Sequence, residues 1–140
     1  MFRNILIPTD LSGKTNRAID IALRMSVQGD SKITLLHVIE TIGADADYGE
    51  FEDFYKKLKK RAEKLMKAMI EAYKEAGVEI RKEVTYGKRV QEIVQFSEGN
   101  SVDLIVLNSH KIDVENPNEG WSTISYKVGF LSQCPVMLIK

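Results

Sequence analysis

A single cysteine, Cys134, is all the thiol this chain has. That excludes an internal disulfide framework and a multi-thiolate metal site, and it fits a reducing compartment. Charge of one sign is also missing, because twenty Lys and Arg balance twenty Asp and Glu. No global field therefore draws the protein toward nucleic acid or an anionic membrane, and neither is expected as a partner. No apolar run approaches the length of about 20 residues that a membrane-spanning helix needs. Met1-Phe2-Arg3-Asn4 runs straight into an apolar strand without the basic segment, apolar stretch and cleavage site of a secretory signal. The expected location is the cytoplasm. Two histidines, His37 and His110, without a carboxylate cluster leave no metal site to propose.

What is present is a regular alternation. The 140 residues, 44% of them hydrophobic, suit one domain over 1–140 with one core. Phe2 to Ile7 reads as a first strand, ended by Pro8 because proline lacks a ladder donor. Ala18, Ile19, Ala22, Leu23 and Met25 form the core stripe of a helix from Thr15 to Val27. Lys32 to Ile39 is a second strand, apolar enough to be covered on both faces. After an aperiodic loop, Glu50 to Ala76 reads as a long helix capped by Gly77. Val78 to Thr85 alternates apolar with charged residues, the pattern of an edge strand. A helix over Val90 to Glu98, a strand over Asp103 to Leu107, a helix from about Ser122 and a last strand over Pro135 to Ile139 complete the chain.

Strands separated by helices require parallel crossovers, and the right-handed rule leaves few topologies. The expectation is an α/β fold with a doubly wound five-stranded parallel sheet in the order 3-2-1-4-5 and helices on both faces. Its switch point falls between the first and fourth strands. There the apolar runs ending in Pro8-Thr9-Asp10 and in Asn108-Ser109-His110 would form a ligand crevice.

Several segments are similar, in order, to those of the universal stress protein family. Ile5 to Asp10 with Leu11-Ser12 and Arg17-Ala18 resembles that family's opening, and Leu35-Leu36-His37-Val38 its second strand. Gly87-Lys88-Arg89-Val90-Gln91-Glu92-Ile93-Val94 resembles its glycine-led helix, Asp103 to His110 its fourth strand, and Cys134-Pro135-Val136-Met137-Leu138-Ile139 its last. The resemblance implies the adenine nucleotide α-hydrolase-like, Rossmann-like fold. It also implies a nucleotide site with the base near Asp10 and Val38, beside Pro8 and Thr9, and phosphates near Asn108, Ser109, His110, Lys111, Ser122 and Thr123.

Members that bind ATP carry the pattern G-2x-G-9x-G-[ST], whose glycines let backbone amides approach phosphate. Aligned backward from Cys134-Pro135, this chain has Asn108, Lys111 and Ser122 at the three glycines and Thr123 at the hydroxyl. Ten residues, Ile112 to Trp121, stand where the pattern has nine, and Gly120 is out of register. Asp113, Glu115 and Glu119 add repulsion toward a triphosphate. Asn108 tolerates a left-handed backbone better than most residues and could keep the turn. Lys111 could offer a charge-assisted contact.

The expected function is a non-catalytic stress-response protein with no required cofactor, ATP or AMP being at most a weak ligand. The alternative is an adenine-nucleotide sensor that retains weak binding and whose loop from Ser109 to Trp121 responds to it. A hydrolase or transferase ranks last, since no nucleophile–base pair or P-loop is legible. Asp10 can equally cap its own turn, and Cys134 reads as a small buried hydrophobe. The cluster Lys56-Lys57, Lys59-Lys60-Arg61 reads as a solvated helix face. The expected partners are a second copy, paired through Pro135, Val136, Met137, Leu138 and Ile139 of the last strand, and other proteins of unknown identity.

Overall fold

The computed structural model describes residues 1–41, 51–109, 115 and 123–140. Five strands, β1 (Asn4–Pro8), β2 (Lys32–Ile39), β3 (Glu79–Tyr86), β4 (Leu104–Asn108) and β5 (Val136–Ile139), form one parallel sheet in the order β3-β2-β1-β4-β5. Among the described residues four helices connect them: α1 (Thr15–Met25), α2 (Glu52–Glu71), α3 (Arg89–Gly99) and α4 (Ile124–Leu131). The order is the one the alternation of strand and helix predicts.

Both faces of the sheet are covered, and alternation along β1 shows how. Ile5 and Ile7 join Ala18, Ile19 and Ala22 of α1 and Ala62 and Met66 of α2 in one core. Leu6 points the other way, into a second core with Leu36, Val38, Ile105, Ile93 of α3 and Val128 of α4. Strands buried on two faces must be apolar at nearly every position, which is why β1, β2 and β4 read as near-continuous hydrophobic runs. Asp103 fixes the start of this arrangement: its carboxylate accepts the N–H groups of Arg3 (2.8 Å) and Asn4 (3.0 Å).

Most elements begin or end a residue or two away from the sequence reading, and three of the differences have a physical cause. Pro8 belongs to β1, paired with Leu36, because its carbonyl and its neighbours satisfy the ladder although its nitrogen cannot. α2 ends at Glu71, short of the Ala76 expected, and a run of turns leads to Gly77 at φ +75°. Tyr73 continues the apolar stripe beyond the helix, since it packs against the first core and its hydroxyl donates to the Asn16 carbonyl at 3.1 Å. Asn108 ends β4 as a strand residue and does not adopt the left-handed backbone; Leu11 does, at φ 70°. Cys134 packs against the second core, and burial pushes its thiol up, as befits an inert hydrophobe.

Candidate functional site

The carboxyl ends of β1, β2 and β4 open into a crevice of about 230 Å³, roofed by the starts of α3 and α4. That is at the small end of ligand sites. Pro8, Thr9 and Asp10 line it from β1, Leu36, His37 and Val38 from β2, and Leu107 and Asn108 from β4. Arg89 and Ile93 complete it from α3, Ile124 and Ser125 from α4.

The turn after β1 is held by its own side chains. Thr9 Oγ1 accepts the N–H of Leu11 at 2.9 Å and shares a hydrogen bond of 2.7 Å with the buried Thr15 hydroxyl. These contacts keep Leu11 in a backbone region that costs a non-glycine residue energy. Asp10 is exposed, and its Oδ1 accepts the N–H of Ser12 at 2.9 Å. Partial burial pushes the Asp10 carboxyl up, but the hydrogen bonds around Ser12 and the charge of Lys14 outweigh that and leave it below its ordinary value. Asp10 is thus an ionised turn-forming residue at the crevice wall.

His37 is fixed as well. Its Nδ1 lies 2.9 Å from the Thr9 carbonyl, an acceptor, so that nitrogen carries a proton and donates it to the turn. Arg89 begins α3 behind Gly87, whose φ of +141° turns the chain from β3 into the helix. Its Nε is 3.7 Å from Glu40 Oε1 at the end of β2.

On the opposite wall the chemistry is that of hydroxyls. Ser109 Oγ and Thr123 Oγ1 lie 3.0 and 3.3 Å from the buried Ser125 Oγ, around the start of α4. Thr123 is the N-cap residue of that helix, with extended backbone at φ −71° and ψ 156°. Helix N-termini carry partial positive charge and unpaired N–H groups, which suit an anion. Asn108 stands between the two walls, its Nδ2 donating to the Lys14 carbonyl at 3.1 Å.

Of the residues expected at the site, Pro8, Thr9, Asp10, Val38 and Asn108 line the crevice together. Ser109 and Thr123 sit at its hydroxyl wall. His110, Lys111 and Ser122 lie outside the described residues, as does Trp121. The sequence reading missed Leu36, His37, Arg89, Ile93, Leu107, Ile124 and Ser125 as wall residues. One signal was there to use: Ser125 continues a run of small hydroxyl residues with Ser122 and Thr123, and it is 5% exposed.

The family model described as the universal stress protein family matches residues 1–140. Universal stress protein MJ0531 of Methanocaldococcus jannaschii is 28% identical over 144 residues, spanning 100% of this chain and 83% of its own length. Among solved structures, that of MJ0577 from the same organism superposes with a TM-score of 0.79 at 27% identity, over 100% of this chain and 96% of that one. A universal stress protein of Arabidopsis thaliana, solved with AMP bound, matches with a TM-score of 0.70 at 24% identity, over 99% and 91% of the two chains.

Proposed function

The chain belongs to the universal stress protein family, and from that premise we propose that it is a non-catalytic, cytoplasmic stress-response protein. On this reading it acts as a homodimer and holds an adenine nucleotide weakly in the crevice. The apolar half of the crevice, Leu36, Val38, Ile93 and Leu107, suits a base, and the hydroxyls of Ser109, Thr123 and Ser125 around the start of α4 suit a phosphate. The AMP held by the Arabidopsis relative supports the choice of ligand.

Asn108 carries the proposal that binding is weak. It occupies the position of the first glycine in the ATP-binding pattern, and it stays in strand conformation with its carboxamide tied to Lys14. A side chain thus stands where that pattern leaves bare backbone for a phosphate to approach. The missing second and third glycines, at Lys111 and Ser122, support the same reading. A non-catalytic role is supported by how the polar groups of the β1 turn are used. Thr9 and Asp10 hold the turn, and His37 is tied to it through Nδ1.

Calorimetric titration with AMP and ATP tests the site. Dissociation constants above about 100 μM are expected, at least about 2.7 kcal/mol short of the roughly −8 kcal/mol of a micromolar complex. A constant of about 1 μM or below for ATP would show that the glycines are dispensable. Neither heat nor a change in melting temperature at millimolar nucleotide would remove the ligand from the proposal.

A further inference from the structure

The balanced net charge conceals an uneven distribution, and α2 is where it concentrates. Its buried residues Tyr55, Ala62 and Met66 face the sheet. Lys57, Lys60, Arg61, Lys64 and Lys67 recur at three- and four-residue intervals on the opposite side, all exposed. At 3.6 residues per turn they fall within an arc of about 120° and extend over about 15 Å. The remaining lysines of the helix are used differently: Lys56 pairs with Glu52 at 3.1 Å and Lys59 with Glu63 at 4.0 Å, off to one side of the stripe. None of the five stripe cations has an ion-pair partner among the described residues. Asp53 precedes the stripe, and Glu71, paired with Lys74 at 3.4 Å, follows it.

We infer that this stripe is a docking track for single-stranded nucleic acid, held through its phosphate backbone without sequence preference. The track needs nothing from the crevice. Because the molecule as a whole is neutral, five cations on one face leave an excess of acid elsewhere, so a polyanion is attracted to this face and repelled from the others. Four of the five are lysines, which meet phosphate as point charges without the fixed geometry of a base-reading fork, as a contact without sequence preference requires. The apolar side of α2 is committed to the core, and the exposed rings of Phe51 and Phe54 at its start are too few to make an apolar face for a bilayer. Phe54, one turn before Lys57 and on the same side as Arg61, is 51% exposed and offers a ring to an unstacked base. That feature selects a single strand over a duplex, whose bases are already stacked.

The test uses the full chain and a fluorescent twelve-nucleotide oligo(dT), read by anisotropy across a salt series. Each phosphate contact on a single strand contributes about 0.7 to the slope of log affinity against log salt, so five predict a slope of about −3.5. Affinity should therefore fall roughly a hundredfold between about 50 and 200 mM salt. Lys60→Gln with Lys64→Gln should flatten the slope by about 1.4. Lys82→Gln with Lys127→Gln, on β3 and α4, should leave it unchanged. Circular dichroism on each variant confirms that both remain folded. The inference is overturned by no binding at low salt with protein at about 100 μM, or by a slope that the α2 pair does not change. It is equally overturned if polyglutamate or anionic vesicles compete at equal charge, or if a duplex of the same length binds more tightly.

Discussion

The sheet ends in two edges, β3 and β5, and the chain treats them in opposite ways. β3 is eight residues long and carries Glu79, Arg81, Lys82 and Glu83, all exposed. Arg81 donates to Glu79 through Nε at 2.8 Å and through its terminal nitrogen at 3.2 Å. β5 has four residues, Val136-Met137-Leu138-Ile139, and no charge at all. The carbonyls of Pro135 and Ile139 accept N–H groups from Ile105 and Ser109. Strand alternation therefore turns the backbone groups of Val136 and Leu138 outward. On α4, which packs against β5 and leads into it, Phe130 is 74% exposed and Leu131 55%. A long open edge is a hazard that charges suppress. A short apolar edge next to exposed aromatic surface is the kind that a symmetric copy can close, which is why the homodimer proposed above is built on β5.

The comparison can be broken most sharply at β5. Phe130→Glu together with Leu131→Glu places two like charges on the proposed two-fold interface without touching the core. Dimer dissociation measured by sedimentation equilibrium should weaken by about a hundredfold or more, as for removal of an interface hot spot. An unchanged dimer would exclude this face. A smaller effect is expected from making β3 resemble β5. Arg81→Val, Lys82→Thr and Glu83→Val together strip its charges, and static light scattering should then show concentration-dependent association absent from the parent. If the variant stays as dispersed as the parent, charge is not what guards that edge.

The smallest effect sharpens the comparison through pH. The Arg81 guanidinium, by hydrogen bond and by charge, holds the Glu79 carboxyl below its ordinary value. A carboxylate depressed in the folded state stabilises above its unfolded pKa of about 4.3, and that stabilisation is lost as pH falls through the folded value. Glu79→Gln should therefore lower the melting temperature slightly at pH 7, with the difference closing below about pH 4 and in high salt, because the pair is fully solvated. A difference that persists at pH 3 would point to something other than the ion pair.

Part of the crevice is legible in the sequence itself. Pro8, Thr9, Asp10 and Asn108 follow apolar runs, and the carboxyl ends of parallel strands at a switch point are where ligands bind. Arg89, Ile124 and Ser125 were not, because they come from helix starts whose position over the strands depends on how α3 and α4 pack. The Asn108 backbone was misjudged for a related reason: a residue's tolerance for a conformation does not tell which residue takes it, and Leu11 took it, held by Thr9. The end of α2 was overrun because hydrophobic periodicity reports burial, and Tyr73 packs half-buried against the core without being helical.

The alternation of apolar strands with amphipathic helices determined by itself that the sheet is parallel, that it is covered on both faces and that its order is β3-β2-β1-β4-β5, because crossover handedness and two-sided burial leave little else. Sequence also determined which strand edge bears charge. Tertiary structure alone decided which side chains meet across the crevice and that Asn108 spends its amide on Lys14. The physical reason is range: periodicity is a property of neighbours along the chain, whereas distances of about 3 Å between residues far apart in sequence are fixed only when all the elements pack at once.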